Sequence, residues 1–322
     1  MRLGLVYIFY TFLLVVAGLS YFSSPGQHSQ QRNINEKDAK RVSIFGNSFV
    51  GSFKPNSKNV NIFSEKLIDD PNSNEIYLLK PNGVVGDFNK LEFQGDEGRV
   101  VKATNVLLLK KNIFIQKNGA RIWSDQMQLD YVKNNITAEE NVRSIFVHEG
   151  REVKVASARF DASEAKQEVR YIGSVVGDIT ENGQKSEDIH FKSDLLIFND
   201  HLKTMSLRGN TYLRRGKSEI NSIFGNIWLD SLSKGVKYFS MNDDVEMQDE
   251  YTNSNGKLVK RFSFSEKLEG FSKDNMIILS GFPQVKQEGD IIKGNEMIIR
   301  EDQEVIEIIN TNSQFEFNKE DN

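Results

Sequence analysis

Residues 207–230 read LRGNTYLRRGKSEINSIFGNIWLD, two segments of alternating apolar and polar residues joined by a polar turn at Gly216-Lys217. Alternation with a period of two places successive side chains on opposite sides of an extended backbone, as in a β-strand that is buried on one face. Such a unit cannot bury its apolar face alone, so neighbouring units have to stack against it. This stretch therefore predicts a hairpin or corner within a larger β-structure.

The same alternation extends in both directions, from residue 42 to the C-terminus, in short segments separated by clusters of Gly, Asn, Asp and Lys. No proline lies between Pro81 and Pro283, which suits unbroken strand ladders. No window gives an amphipathic helix. Three dipeptides are typical of hairpin turns because both of their residues tolerate positive φ: Asn118-Gly119, Asn182-Gly183 and Asn255-Gly256. We therefore predict an all-β fold.

Glycine marks a weak internal repeat. Gly173, Gly209 and Gly281 occupy matching contexts in YIGSVVGDI, LRGNTYLRR and LSGFPQVKQ. The first two are 36 residues apart and the third follows 72 residues after the second. The slot midway falls at Asp244-Val245, where glycine is replaced. Regular spacing of this kind predicts a β-solenoid, or an elongated jellyroll or sandwich whose strands stack along one axis.

The N-terminus is strongly apolar. Residues 3–22, LGLVYIFYTFLLVVAGLSYF, are twenty residues without a charge, which matches a bilayer core of about 30 Å. Arg2 precedes them and no basic residue follows before Arg32, so the positive-inside rule places the N-terminus in the cytoplasm. The alternative is a cleaved signal peptide, and both interpretations export the remainder. We predict a transmembrane anchor at residues 1–22 and a flexible polar tether at residues 23–42.

Composition excludes several classes of function. The formal net charge of the 322 residues is −4, with acids and bases interleaved, which argues against nucleic acid as a partner. The chain has no cysteine, which excludes disulfides, thiolate metal sites and a cysteine nucleophile. Its four histidines are scattered, and no group of residues meets the requirements of a catalytic site. We therefore expect a protein that is not an enzyme and that uses no cofactor or metal.

The repeats resemble a known family. Residues 112–130, 141–161 and 207–230 are similar to the hairpin repeats of the periplasmic bridge proteins that export lipopolysaccharide. In that family the LptC type has one N-terminal transmembrane helix and one β-jellyroll, and the soluble LptA (OstA-like) type continues the jellyroll towards the outer membrane. Residues 43–180 resemble the LptC type and residues 181–322 resemble the LptA type. The resemblance therefore implies two jellyroll units behind one anchor in the inner membrane.

The resemblance also implies a hydrophobic groove instead of an active site. Members of the family hold the acyl chains of lipopolysaccharide inside the jellyroll, while the sugars and phosphates stay in water. Counting alternation along each strand selects the inward face, and Lys117 is expected to be exposed. The residues expected to line the groove are Leu107, Leu109, Ile113, Ile115, Trp123, Met127, Leu129, Leu207, Leu213, Ile220, Trp228, Leu279, Val285, Met297 and Ile299.

The partners implied by the resemblance are lipopolysaccharide, an ABC-transporter complex in the inner membrane, and further jellyroll proteins of the periplasm or outer membrane. The C-terminal stretch EVIEIINTNSQFEFN, residues 304–318, has strong strand character. It is either paired inside its own sheet or an edge on which the next jellyroll docks. The residues of this candidate docking edge are Val305, Ile306, Ile308, Phe315 and Phe317.

Two alternatives come from other classes of protein. A membrane-anchored β-solenoid with a structural or adhesive role shares the strand pattern, but we would expect caps over both of its ends. A β-helical polysaccharide lyase or hydrolase needs a repeated carboxylate or basic cluster on one face, and the sequence shows none. A bridge protein differs from both because it leaves strand edges at its ends and an apolar interior that a ligand can reach.

Overall fold

The computed structural model describes residues 43–52, 60–70, 72–86, 90–148, 151–163, 165–181, 188–199, 202–229, 236–253, 255–272, 274–300, 305–309 and 314–316. Every helix or strand within these ranges is a β-strand, so the prediction of an all-β fold is confirmed. The predicted anchor and tether lie outside the described residues. Within the described ranges, no helix has the length and apolar character needed to cross a membrane.

The strands fall into a starting group, a long central series and a closing group. The starting group is β1 (Ser43–Ser52), β2 (Val60–Asp69), β3 (Glu75–Leu79), β4 (Asn82–Val85), β5 (Leu91–Gln94) and β6 (Glu97–Val101). The central series is β7 (Val106–Lys117), β8 (Ala120–Asp130), β9 (Asn135–His148), β10 (Arg151–Ser163), β11 (Glu168–Glu181), β12 (Ile189–Asn199), β13 (Thr204–Arg215), β14 (Ser218–Leu229), β15 (Val236–Thr252) and β16 (Leu258–Phe271). The closing group is β17 (Met276–Ser280), β18 (Gln284–Gln287), β19 (Asp290–Lys293), β20 (Glu296–Arg300), β21 (Ile306–Ile309) and β22 (Gln314–Glu316).

Each central strand pairs antiparallel with the next, and each pair bends near its middle. The register shifts at the same relative point in every pair, for example between Lys110 and Ile113 where β7 meets β8. This bend divides β7 into residues 106–110 and residues 113–117. The strand segments in register with residues 106–110 make up what we call arm A. The strand segments in register with residues 113–117 make up arm B. The two arms are the facing layers of a β-jellyroll.

Positive φ angles mark the bend. Gly173, Gly209 and Gly281 have φ angles of 78°, 73° and 79°, so the predicted glycine repeat coincides with the bend. The slot without glycine is filled by Asp243 and Asp244, with φ angles of 63° and 50°, one residue earlier than predicted. Glycine and short polar residues tolerate this left-handed conformation better than other residues do. The repeat is therefore regular in space although it is loose in sequence.

Two of the three predicted hairpin turns lie in described parts of the chain. Asn118 and Gly119 join β7 to β8 with φ angles of 48° and 83°, as a tight two-residue turn requires. Gly256 turns between β15 and β16 with a φ angle of 76°. Asn182-Gly183 falls outside the described residues.

The arms separate into shorter strands at both ends of the sheet. β16 pairs with β17 in arm A and with β18 in arm B. Arm A continues through β20 to β21, and arm B continues through β19 to β22. β2 divides in the same way between β3 and β4. Among the described strands, β1, β21 and β22 therefore each have a neighbour on one side alone.

The core lies between the two arms. Tyr171 of arm A and Ser144 of arm B are two strands apart in the sheet, yet their hydroxyl oxygens are 2.8 Å apart. The rings of Phe146 in arm B and Phe198 in arm A lie with centroids 6.1 Å apart. Most of the buried apolar side chains of both arms belong to one hydrophobic cluster.

Candidate functional site

Inward side chains of arm A form one continuous row. Residues directly opposite each other in an antiparallel pair project from the same face. The registers therefore link one inward residue from each strand that contributes to arm A, beginning at β1 and ending at β21. In chain order this arm A row is Phe45, Leu67, Leu78, Gly98, Leu109, Met127, Ala138, Phe160, Tyr171, Leu196, Leu207, Gly225, Met241, Leu268, Leu279, Met297 and Ile308.

Arm B has a matching row, apolar except for two serines. In chain order this arm B row is Val50, Ile62, Gly83, Phe93, Ile115, Ile122, Ser144, Val155, Gly177, Phe191, Leu213, Ile220, Met247, Ser263, Val285 and Ile292. A Cβ on Gly177 would lie 2.1 Å from the ring of Phe191, so glycine is needed there for close packing. The arm A row and the arm B row face each other across the interior, and each forms an apolar strip along its arm.

Most residues predicted to line a groove lie in this interior. Thirteen of the fifteen have side chains with 4% exposure or less, and they belong to the arm A row, the arm B row or an inward position beside them. These thirteen are Leu107, Leu109, Ile113, Ile115, Met127, Leu129, Leu207, Leu213, Ile220, Leu279, Val285, Met297 and Ile299.

The two tryptophans were assigned to the wrong face. Trp123 lies between buried Ile122 and buried Ser124 and points outward, with its ring centroid 5.4 Å from that of Phe114. Trp228 follows buried Ile227 and likewise points outward. The register shift at the bend changes which residues of β8 and β14 face inward. In these two strands, alternation counted straight through the bend therefore gives the wrong face on one side of it.

The prediction that Lys117 is exposed was also wrong. Its side chain follows Ile113 and Ile115 on the inward face of β7 and is 4% exposed. Inward charged residues also occur further along the chain. Arg261 and Asp249, directly opposite each other on β16 and β15, are both buried and form an ion pair. The sequence signal that we missed is an ionisable residue at an inward position of an otherwise alternating strand.

A hydrogen bond connects arm A to arm B across the interior. The hydroxyl groups of Tyr171 and Ser144 share it, and the Ser144 hydroxyl also approaches the carbonyl oxygen of Val155 at 3.5 Å. Burial raises the pKa of the Tyr171 phenol to about 12 because the interior disfavours the phenolate. The phenol therefore stays neutral and remains a donor throughout the physiological range.

The C-terminal stretch forms two short strands instead of one. β21 joins arm A, where Ile306 pairs with Ile299, and Ile306 and Ile308 pack against the core. β22 joins arm B, where Phe315 pairs with Ile292. Val305 is exposed, and Phe317 lies outside the described residues. The two strands present the last described edges of the sheet.

The comparison with known families agrees with this architecture. The model of the family described as lipopolysaccharide-assembly, LptC-related matches residues 10–179, which is 170 of the 322 residues. The chain belongs to this LptC-related family. The curated proteins contain no match to the chain.

Among solved structures, the LptC-related chain is similar to the crystal structure of LptH from Pseudomonas aeruginosa. That protein is described as the LptA homologous periplasmic component of the conserved lipopolysaccharide transport device. The match covers 41% of the present chain and 96% of LptH, with 11% sequence identity and a TM-score of 0.36.

The family match ends inside the sheet of the LptC-related chain. Residue 179 is the third residue from the end of β11, and β11 pairs with β12 over ten residue pairs. The strands from β12 to β22 therefore extend the matched part without interrupting its sheet. Both interior rows pass through this point unbroken.

Proposed function

We propose that this chain is a membrane-anchored bridge component that carries lipopolysaccharide by holding its acyl chains between arms A and B. The observation that supports this most directly is the pair of apolar rows, which run from the first described strand to the closing group. Membership of a lipopolysaccharide-assembly family agrees with this role.

The packed interior limits how a lipid can enter. The inward side chains of both arms already contact one another, so acyl chains enter when the arms part. Each methylene group that leaves water contributes about 0.8 kcal/mol. Inside the protein, contacts between acyl chains and apolar side chains replace equivalent contacts between the two arms, so the net change in free energy is small. A small net affinity is what a protein that must release its cargo needs.

The thirteen buried residues named above form the proposed contact surface for acyl chains. Trp123 and Trp228, which point outward, are not part of it. Because the two rows continue from β11 to β12, the LptC-like unit (residues 43–180) and the LptA-like unit (residues 181–322) would share one interior. Lipopolysaccharide would then move along the sheet without leaving the protein between the two units.

In this proposal the two ends of the sheet face the two ends of the transport path. Residues 1–22 would anchor the chain in the inner membrane, with residues 23–42 as a tether, and place β1 near the ABC transporter that extracts the lipid. The far end would dock the next jellyroll in the periplasm or outer membrane through β21 and β22. The residues proposed for that contact are Val305, Ile306, Ile308, Phe315 and Phe317.

Photo-crosslinking in Gram-negative cells tests the proposed interior. A photoreactive residue replaces Ile115 or Leu213, which point inward, and in matched controls it replaces Gln116 or Arg214, the next residues outward on the same strands. We expect adducts with lipopolysaccharide at the two inward positions and none at the controls. A folded, membrane-localised protein that gives no adduct at either inward position would refute the proposal and favour a structural β-solenoid.

A further inference from the structure

Besides the arm B row, arm B has another row of inward side chains, which lies nearer to the hairpin loops. We call it the third row. In β9 to β12 this third row is apolar and consists of Phe146, Val153, Ile179 and Ile189. From β13 onwards its character changes. The residues from there, which we call the polar strip, are Arg215, Ser218, Asp249, Arg261, Gln287 and Asp290.

The centre of the polar strip is a buried ion pair. Arg261 donates from Nε to Asp249 Oδ1 at 3.0 Å and from Nη2 to Asp249 Oδ2 at 2.5 Å. The side chains are 0% and 4% exposed. The centre of the guanidinium lies 5.0 Å from the ring centroid of Tyr251. This is a two-bond arginine–carboxylate contact inside a mainly apolar interior.

Stability does not account for this pair. Removing two charges from water is unfavourable, and replacing a buried ion pair with apolar residues of similar volume is often neutral or stabilising. The same row in β9 to β12 consists of aliphatic and aromatic residues, so the sheet does not require charges at this position of the strands. The charges therefore point to a ligand.

We propose that the polar strip is a subsite for the phosphate groups of the lipid, an inference that rests on the proposed function. An acyl chain on the arm B row would lie about 7 Å from the polar strip, since two residues along a strand span that distance. The planar guanidinium of Arg261 matches phosphate oxygens with two parallel hydrogen bonds. While the arms are closed, Asp249 neutralises Arg261, and when they part a phosphate group takes the place of that carboxylate.

A pair of double variants tests the subsite in the full-length protein. The variant D249L/R261M replaces the buried pair with apolar residues. The matched control E250L/K260M removes an ion pair on the same two strands, where Lys260 Nζ and Glu250 Oε1 lie 3.7 Å apart on the outward face. The probes are lipid A carrying both phosphates and the same lipid A after enzymatic dephosphorylation. The readout is the ratio of the two dissociation constants.

We expect the wild type and E250L/K260M to bind the phosphorylated form about tenfold or more tightly, as charge-assisted hydrogen bonds imply. The ratio for D249L/R261M should fall to about one. An unchanged ratio in folded D249L/R261M would overturn the subsite, and so would equal binding of both probes by the wild type. If the wild type binds neither probe, the proposed function itself fails. Should D249L/R261M not fold, Arg261→Lys provides the same test, with a ratio reduced several-fold.

Discussion

At the scale of single residues, the buried phenol of Tyr171 makes the free energy of unfolding depend on pH. Its pKa is raised to about 12 by burial, whereas an unfolded tyrosine ionises near its ordinary value of about 10. Below pH 10 the phenol is protonated in both states, and its stabilising effect is fully present. Between pH 10 and 12 the unfolded state alone loses the proton, so Tyr171 lowers the free energy of unfolding by about 1.4 kcal/mol per pH unit.

The variant Tyr171→Phe should therefore change both the level and the slope of stability. At pH 7 we expect a loss of about 1 kcal/mol, since the hydrogen bond to Ser144 disappears. Between pH 10 and 12 the variant should lose stability less steeply than the wild type. Urea unfolding across this range measures both effects, with exposed Tyr77→Phe as the control. Parallel curves for wild type and Tyr171→Phe would contradict the assignment.

At the scale of the element, the bend contains a bulky aromatic residue that does not suit its conformation. Phe282 follows Gly281 with a φ angle of 54° and is 81% exposed. At the equivalent position Asn210 has a φ angle of 45° and donates from Nδ2 to Asp194 Oδ2 at 2.7 Å. A bulky side chain in the left-handed region costs about 1 kcal/mol more than asparagine. We therefore expect Phe282→Asn to raise the free energy of unfolding by about 1 kcal/mol, measured by urea denaturation.

A control substitution at a second exposed phenylalanine distinguishes the relief of backbone strain from the effect of replacing an exposed apolar side chain with a polar one. Phe224 is half-exposed on β14 and does not have a positive φ angle. Phe224→Asn should bring no gain, because it removes no strain. If both substitutions stabilise the protein equally, relief of strain at the bend is not the cause.

At the scale of the whole molecule, the proposed entry of lipid between arms A and B would require the arms to part. The chain has no native cysteine, so the variant S144C/Y171C carries thiols at one inward position of each arm and nowhere else. Joining the two thiols with a short bifunctional cross-linker should abolish lipopolysaccharide uptake, and the same variant without cross-linker should retain it. Uptake is measured with purified lipopolysaccharide and the full-length protein.

The control for this experiment joins two strands within one arm. Gln116 and Arg121 lie directly opposite each other on the outward face of arm B. The cross-linked variant Q116C/R121C should take up lipopolysaccharide at the wild-type level, since no movement between these strands is required. Equal uptake by both cross-linked proteins would mean that the lipid does not enter between the arms.

Local patterns in the sequence predicted the strands, the all-β class and the glycine repeat. They also placed Leu109, Leu213 and Met297 on the inward face correctly, because each of these residues lies in a stretch whose alternation is uninterrupted. Trp123 and Trp228 were misplaced because a bulge changes the alternation and leaves no sign in the hydrophobic pattern. Phe282 shows why the bend itself is hard to recognise, since a residue with a strained backbone stands there in place of the usual glycine or asparagine.

The sequence by itself determined the period-two alternation, the turn chemistry and the family, because these depend on neighbouring residues along the chain. The tertiary structure alone decided which inward residues of different strands meet. The registers join Arg261 to Asp249 and align the polar strip, and the folding of one arm onto the other brings Tyr171 to Ser144. These contacts depend on pairing and on the bend, which sum many weak interactions over the whole sheet, so no single segment encodes them.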